Sequence, residues 1–246
     1  MDVKLVARTL DLFEHFAAEL RPLPLTELAA LMAVPVSSCL ALVRTLVRRG
    51  YLYEVRKRGG YYPTRRLMQL ARAITAADPV VEGVHPYLVG LRDATDETVV
   101  FGKIDGLTVL YLDVVESRKP IRYMAAPGDT RPVHANSIGK AIFGELTPIE
   151  QQTLAAKLGF ERFTAHTTVD FAALATQADV SRQRGWHVNL GESAPELSAV
   201  AIAVKIGGDW YGISVVGPTE RIEPLQEAHA MQLAQTRHNI DHFNPS

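Results

Sequence analysis

Hydrophobic residues recur with the period of an α-helix through most of the first fifty positions. Val6, Leu10, Phe13 and Ala17 are three or four residues apart, which predicts an amphipathic first helix with these side chains on its buried face. The stretch ELRPLP should end that helix, because proline removes a backbone donor and clashes with the preceding turn. A second, short helix is predicted in LTELAALMAV and a third in PVSSCLALVRTLVRRGYL, ending at Gly50.

The third helix has one apolar face and one more polar face. The positions that should face the core are Cys39, Leu42, Val43, Leu46 and Val47. The opposite positions are Ser37, Ala41, Arg44 and Arg48. After Gly50, the aromatic segments YLYEV and GYYPT flank RKRGG, which predicts a β-hairpin with Arg56, Lys57 and Arg58 at its tip.

Three helices followed by a small hairpin are typical of a winged helix-turn-helix. In such a module the third helix enters the major groove of DNA, while first-turn groups and the wing contact the sugar-phosphate backbone. The predicted DNA-contacting residues are Ser37, Ser38, Leu40, Ala41, Arg44, Arg48, Arg56, Lys57 and Arg58. The alternative is a small helical domain that docks on another protein and keeps its arginine face in solvent.

From residue 80 onward, helical and strand periods alternate. Helices are predicted in VVEGVHPYLVGLRDAT, TPIEQQTLAAKLG and DFAALATQADVSRQRG, from near Asn136, and from Pro224 to about Phe243. Strands are predicted in ETVVFGKID, LTVLYLDVVE, IRYMAA, WHVNL, LSAVAIAVKI and WYGISVVGP. Helices around a mainly antiparallel sheet give an α+β domain. With a further helix in TRRLMQLARAI, the predicted segments are 1–63, 64–79 and 80–246.

Composition and charge support this division. A chain of 246 residues with 47% hydrophobic content can fold as two domains, and its net charge of −1 is unevenly distributed. Residues 1–80 carry 12 Lys and Arg against 7 Asp and Glu, whereas the remainder carries 14 against 20, so the N-terminal part favours a polyanionic partner. A single cysteine excludes an intrachain disulfide and a cysteine-rich metal site. Without an apolar stretch of roughly 20 residues, we predict a cytoplasmic protein that does not bind membranes.

Three stretches carry a resemblance to a known family. LPLTELAALMAVPVSSCLALVRTLVRRGYL is similar to the helix-turn-helix of the IclR family of bacterial transcriptional regulators, with Val36 and Ala41 where relatives often have basic residues. PVHANSIGKA and GISVVGP are similar to that family's C-terminal domain. The resemblance implies a winged helix-turn-helix joined by a linker helix to a GAF-like domain that binds an effector and oligomerises. It also implies that a homodimer or homotetramer binds double-stranded operator DNA.

The stretch HANSIGKAIFGEL contains a serine and a Gly-Lys pair that two kinds of catalytic loop share. A phosphate-binding P-loop would need glycine at 134 and Ser or Thr at 141, where this chain has His134 and Ala141. A nucleophile elbow would need glycine two positions before Ser137, where Ala135 stands. The spacing therefore argues against nucleotide hydrolysis and against a serine hydrolase.

Two interpretations of this stretch remain open from the residues alone. It is either a plain helix cap or an anion site, in which backbone N–H groups of Asn136, Ser137 and Ile138 at a helix start bind a carboxylate. In the second case Gly139 would allow the ligand to approach closely, and Lys140 would point to solvent.

The family resemblance favours the anion site, because relatives hold small organic acids or aromatic ligands in a pocket formed by this loop and the last strands. It assigns to the effector Asn136, Ser137, Ile138, Gly139, Asn189, Leu197, Ala199 and Ser214. Asn189 and Ala199 stand where relatives often carry an acid and a cysteine, so we expect an effector with an apolar or aromatic body and one anionic end. The residues that could belong either to the pocket wall or to the core are Phe101, Val109, Tyr111 and Met124.

These observations predict an effector-controlled transcriptional regulator, with a repressor of a catabolic operon as the expected form. We expect no enzymatic activity, no cofactor and no metal, since His238 and His242 share a helix face but lack a third ligand by motif. The competing hypothesis is an enzyme with a hydrolytic site in the C-terminal domain.

Overall fold

A computed structural model describes residues 3–55, 59–75 and 78–241 of the chain. The chain divides into two units, Met1–Asp78 and Pro79–Ser246. Within these described residues, no single helix is long and apolar enough to cross a membrane. One pair of helices, bent by 110°, meets the length and composition requirement only when taken together.

In the N-terminal unit, three helices precede a two-stranded hairpin, as the sequence predicts. The elements in chain order are α1 (Lys4–Glu19), α2 (Leu25–Leu31), α3 (Val36–Arg48), β1 (Leu52–Glu54), β2 (Tyr61–Pro63) and α4 (Arg66–Thr75). Gly50 has a φ of +79°, a left-handed conformation after α3 that glycine adopts without steric cost. The strands pair antiparallel, and the predicted basic tip, Arg56, Lys57 and Arg58, lies outside the described residues.

The first helix buries a different face from the one its sequence predicts. Leu12 and Phe16 are buried in the core of this unit, whereas Val6 and Leu10 are 58% and 59% exposed. The predicted stripe of Val6, Leu10, Phe13 and Ala17 is therefore wrong as a core face, although its member Phe13 does pack against the core. The helix carries two apolar stripes, and the second lies on its surface.

The C-terminal unit confirms the predicted α+β class. Its six strands have the order β5-β4-β3-β8-β7-β6, and each adjacent pair is antiparallel. The elements are α5 (Pro79–Thr95), β3 (Thr98–Asp105), β4 (Thr108–Val115), β5 (Thr130–Pro132), α6 (Ser137–Glu145), α7 (Pro148–Ala155), α8 (Phe171–Arg184), β6 (His187–Leu190), β7 (Leu197–Ile206), β8 (Asp209–Pro218), α9 (Thr219–Ile222) and α10 (Gln226–Asp241). The segment IRYMAA, predicted as a strand, has no regular secondary structure.

Alternate residues of each strand point to opposite faces of the sheet, and helices pack on both faces. Phe101 and Ile213 belong to the core shared with α5 and α10, whereas Val100 and Ala201 belong to the core shared with α6. Helix α6 packs very closely on the sheet, since a Cβ at Gly212 of β8 would lie 2.6 Å from Cγ2 of Ile138. The N-terminus of α6 thus lies over the central strands.

Candidate functional site

A cavity of about 300 Å³ lies between the N-terminus of α6 and the adjoining face of the sheet. It is lined by Tyr111, Tyr123, Arg131, Pro132, Ala135, Asn136, Ser137, Phe163, Asn189, Ser193, Ala194, Leu197, Ser198, Ala199, Ser214 and Val216. Aromatic rings and aliphatic side chains alternate with hydroxyls, amides and one guanidinium. This is the composition of a site for a small organic molecule with a few polar groups.

The cavity brings together six of the eight residues that the sequence assigns to the effector. These are Asn136, Ser137, Asn189, Leu197, Ala199 and Ser214. Ile138 and Gly139 do not line it. Ile138 is fully buried against the sheet, and a Cβ at Gly139 would lie under 3.0 Å from backbone atoms of Val133, so both residues pack the helix onto its surroundings.

The start of α6 is capped by a side chain that occupies two of its first N–H groups. Asn136 is the N-cap residue, and its Oδ1 accepts hydrogen bonds from the backbone N–H groups of Ile138 at 2.9 Å and Gly139 at 3.2 Å. Its Nδ2 donates to the hydroxyl of Tyr111 at 3.0 Å. The expectation that the Ile138 amide binds an anion is therefore wrong, because that donor already has a partner.

Arg131 supplies a full positive charge to the cavity beside the helix start. It lies on β5, and its guanidinium stands over the ring of Tyr111, 5.5 Å from the ring centroid. The chain's pattern did not predict Arg131 as a site residue, because β5 is only three residues long and has no periodic signal. Its place in the cavity depends on the pairing of β5 with β4, where Arg131 lies opposite Val109.

Tyr111 is held as a neutral phenol. Burial, with the neighbouring Tyr123, raises the pKa of Tyr111 well above its usual range, so its hydroxyl keeps its proton. That hydroxyl accepts from Asn136 and lies 3.4 Å from the hydroxyl of Tyr123. Of the other residues considered for the wall, Phe101 and Val109 are core residues and Met124 is 66% exposed outside this cavity.

The cavity lacks the groups of a hydrolytic site among the residues that line it in the described chain. None of these lining residues is His, Cys, Asp or Glu, so no general base lines the cavity beside Ser137. His134, the nearest histidine in sequence, is buried between Phe160 and Phe163, and its Nε2 lies 2.9 Å from the carbonyl oxygen of Glu161.

Lys140 is buried, which contradicts the expectation that it points to solvent. Its ammonium group pairs with the carboxylate of Glu192 and donates to Gln177 Oε1 at 2.7 Å and to Thr168 Oγ1 at 3.3 Å. Burial lowers the pKa of Lys140, and the charge of Glu192 opposes that shift. The lysine of the Gly-Lys pair is therefore part of the interior behind the cavity and does not reach into it.

Asn189 links the two sides of the cavity. Its Nδ2 donates to the carbonyl oxygen of Ala135 at 2.6 Å, and its Oδ1 accepts from the backbone N–H of Glu192 at 3.0 Å. The amide therefore connects the turn before α6 to the loop after β6. Sequence reasoning predicted Asn189 in the site, but the structure shows its polar groups bonded to the protein's own backbone.

The N-terminal unit presents one face of α3 to solvent. Cys39, Val43 and Leu46 are buried as predicted, whereas Val47, also predicted to face the core, is 38% exposed. Leu40 is half-buried. The exposed positions are Ser37, Ser38, Ala41, Arg44 and Arg48. Within the described residues no side chain caps the start of α3, so its first N–H groups face solvent beside Ser37 and Ser38.

Metal-binding groups do not converge in the part of the chain that the structure describes. No cluster of three or more His, Cys, Asp or Glu side chains could hold a metal ion there. His242, one of the two histidines considered from the sequence, lies outside the described residues.

Comparison with known proteins covers nearly all of the chain. The family profile for "Bacterial transcriptional regulator IclR C-terminal" matches residues 72–242, and that for "IclR helix-turn-helix domain" matches residues 5–56. The chain is 29% identical over 222 residues to the HTH-type transcriptional regulator BhcR of Paracoccus denitrificans, covering 89% of this chain and 79% of the relative. It is 26% identical over 193 residues to the HTH-type transcriptional repressor AllR of Klebsiella pneumoniae, covering 78% and 71%.

A solved structure shares the fold at lower sequence identity. An IclR homolog from Microbacterium hydrocarbonoxydans, crystallised in complex with 4-hydroxybenzoate, superposes with a TM-score of 0.73 and 20% identity. The match covers 96% of this chain and 99% of that one.

Proposed function

Because the chain belongs to the IclR family of bacterial transcriptional regulators, we propose that it represses a catabolic operon and that a small organic acid or aromatic effector changes its affinity for operator DNA. The observation that carries the proposal is the cavity beneath α6, which contains Arg131 and no acidic residue among its described lining. In this proposal residues 1–63 bind DNA, 64–79 form the linker, and 80–246 bind the effector and oligomerise.

The exposed face of α3 is the proposed DNA-reading surface. Arg44 and Arg48 would contact bases or phosphates in the major groove, and the open first turn would bind a phosphate through the amides and hydroxyls of Ser37 and Ser38. The small side chain of Ala41 suits an apolar contact with a thymine methyl group. The half-buried Leu40 and the wing residues Arg56, Lys57 and Arg58 complete the proposed contact surface.

The cavity is the proposed effector site, with Asn136, Ser137, Asn189, Leu197, Ala199 and Ser214 among its contacts. Its volume and its aromatic walls suit a ligand of about one ring, and the 4-hydroxybenzoate bound by the Microbacterium homolog is a ligand of this kind. A coupling free energy of about 1 to 3 kcal/mol between the two sites would change operator affinity about 5-fold to 150-fold, enough for a switch.

We further propose that the protein acts as a homodimer or homotetramer in the cytoplasm. Two recognition helices must meet two half-sites about 34 Å apart, or at a multiple of that spacing, so a symmetric pair of winged domains is required. The exposed apolar stripe of α1, formed by Val6, Leu10 and Ala17 together with the N-cap residue Val3, offers one surface for contact between two copies.

A mobility-shift assay on the promoter nearest the protein's own gene tests this function. We expect a shift that weakens steeply as salt rises, because phosphate contacts release counterions. Arg44→Ala should weaken binding by about 1 to 3 kcal/mol, whereas Arg237→Ala, an exposed arginine on α10, should leave it unchanged. Candidate acids are then titrated into the complex, and turnover of each acid is measured in parallel. DNA binding that is absent at every salt concentration, or catalytic turnover of an acid, contradicts the proposal.

A further inference from the structure

We propose that the effector is a monocarboxylate with a second, uncharged hydrogen-bonding group, and that Arg131 binds the carboxylate while Ser137 and Ser214 bind the second group. The inference rests on the proposed function, because it specifies the ligand class of that same cavity. It assigns the carboxylate to the side chain of Arg131 and not to the backbone amides at the start of α6.

Arg131 is the cation that a carboxylate in the cavity would meet. Among the described lining residues it is the one with a permanent charge, and no carboxylate lines the cavity to compete for it. Its contact with Asp129, at 3.3 Å, lies outside the cavity lining and joins side chains that are 37% and 38% exposed, so that pair is weak. The guanidinium has five donors in a planar fork, which leaves donors for a carboxylate above the ring of Tyr111.

Ser137 and Ser214 place two hydroxyls in the cavity lining, and these would bind a second polar group on the ligand. The residues are 3% and 4% exposed, and neither hydroxyl has a hydrogen-bond partner among the residues that the structure describes. Ser198, another lining serine, differs because its hydroxyl lies 2.8 Å from that of Thr219. Because both residues line the cavity, an alcohol, phenol or carbonyl group on the effector would form hydrogen bonds with their hydroxyls.

The two proposed ends of the ligand lie over different strands of the sheet. Tyr111, under the guanidinium, lies on β4, and Ser214 lies on β8, with β3 between them. Two strand spacings correspond to about 10 Å between the backbones of β4 and β8. Tyr111 and Ser214 are also offset by two residues along β3, at Gly102 and Val100, so the path is slightly longer. The cavity of about 300 Å³ suits a ligand in which one ring or a short chain separates the two groups.

The same geometry disfavours a dicarboxylate. A second carboxylate at the Ser137 and Ser214 end would meet no cationic side chain, because the described lining there offers hydroxyls, amides and the start of α6. Burying an unpaired charge costs far more free energy than two hydroxyl hydrogen bonds return. Selectivity for the monoacid follows from the position of the single guanidinium.

Calorimetric titration of the full-length protein with matched ligands tests the inference. The panel contains 3- and 4-hydroxybenzoate and 4-hydroxybutyrate, each with its counterpart lacking the hydroxyl, its neutral amide and the corresponding dicarboxylate. We expect a hydroxy acid to bind most tightly. Arg131→Gln should weaken that hydroxy acid about 10-fold to 100-fold and leave its amide unchanged, because only the acid loses a charged hydrogen bond. Arg131→Lys should restore part of the affinity.

The second arm tests the hydroxyl end. In Ser214→Ala or Ser137→Ala, the affinity difference between a hydroxy acid and its counterpart without the hydroxyl should disappear. Arg118→Gln, which alters an arginine with a 71% exposed side chain outside the cavity lining, is the matched control. Circular dichroism checks that each variant is folded.

Three results would overturn the inference: tighter binding of a dicarboxylate, equal losses for acid and amide in Arg131→Gln, or no binding of any hydroxy acid. If the mobility shift on operator DNA persists in that case, the proposed regulatory function survives and only the ligand assignment fails. If the shift itself is absent, the regulatory function fails.

Discussion

The ammonium group of Lys140 on α6 pairs with the carboxylate of Glu192 in the loop after β6, and both side chains are more than nine-tenths buried. Thr168 donates to the same carboxylate through its backbone N–H at 3.1 Å and its hydroxyl at 2.9 Å. The pair is thus fully surrounded by hydrogen-bonding groups. It fastens the helix above the cavity to the loop whose next residues, Ser193 and Ala194, line that cavity.

Removing one partner of this pair should destabilise the C-terminal unit. In Lys140→Met, Glu192 keeps a buried negative charge without its cation, which costs about 3 to 5 kcal/mol. Urea denaturation followed by circular dichroism measures the loss, with the exposed Lys157→Met as control. The double variant Lys140→Met with Glu192→Met should recover much of it. A Lys140→Met protein as stable as the control would show that the pair does not support the fold.

Substitutions at Asn136 should show separately how this residue contributes to the stability of α6 and to the affinity for the effector. In Asn136→Asp, the carboxylate still accepts from the Ile138 and Gly139 amides, and a negative charge at a helix N-terminus is favourable, so we expect stability within about 1 kcal/mol of the parent. The same charge beside Tyr111 and Arg131 should weaken an anionic effector about 10-fold or more.

The matched variant is Asn136→Ala, which adds no charge. It should lose about 0.5 to 2 kcal/mol of stability through the missing cap. Urea denaturation and titration with 4-hydroxybenzoate measure the two effects. Asn136→Asp with full affinity for the acid would contradict the placement of the anionic end near this wall.

The fold could be predicted from the sequence because it depends on local signals. Helical and strand periods, the prolines after α1 and the glycine after α3 act within a few residues of one another. The buried state of Lys140 could not be predicted in this way, since its partner Glu192 is 52 residues away. The local sequence around a Gly-Lys pair at a helix start does not show whether the lysine side chain is buried or exposed to solvent.

The family resemblance assigned Ala199 and Ser214 to the candidate site, whereas Arg131 was missed because its position depends on strand order. Ala199 and Ser214 alternate toward one face of long, regular strands. Arg131 enters the cavity from a short edge strand reached through an irregular loop, and no period predicts that pairing. The first helix shows a third limit, because periodicity detects an apolar stripe without showing whether that stripe is buried or exposed.

His187 should make the C-terminal unit less stable in acid. Burial, together with the charges of Arg184, Lys140 and Arg182, lowers the pKa of His187 to about 3. The unfolded chain returns this pKa to about 6.5, so below that pH the unfolded state binds a proton that the folded state does not. Stability should therefore fall as the pH drops from about 6.5 toward 3.

The variant His187→Gln removes this contribution. Between pH 7.5 and 5.5 the parent should lose about 1.4 kcal/mol more than the variant, from the linkage of a single group. Urea denaturation at both pH values measures the difference, and His166→Gln, at an exposed position, serves as control. Equal losses in parent and variant would show that His187 accepts a proton in the folded protein.

The exposed stripe on α1 should lie between two copies of the chain. Val3, Val6 and Leu10 are 68%, 58% and 59% exposed, and they lie on one side of the helix away from Leu12 and Phe16. Such a patch at the surface of a DNA-binding unit suits a self-complementary contact, in which each copy covers the other's apolar side chains.

Cysteine cross-linking of the full-length protein tests this contact. The native Cys39 is buried, and burial raises its pKa, so it should not react. Under mild oxidation, Val6→Cys or Leu10→Cys should form a disulfide-linked dimer, because symmetry brings equivalent residues together near the helix crossing. Ala18→Cys, exposed on the same helix but off the stripe, should remain monomeric on a non-reducing gel. Leu10→Glu should also lower operator affinity, since a buried charge separates the paired recognition helices. Equal cross-linking at positions 10 and 18, or unchanged operator binding by Leu10→Glu, would contradict a dimer contact through this face of α1.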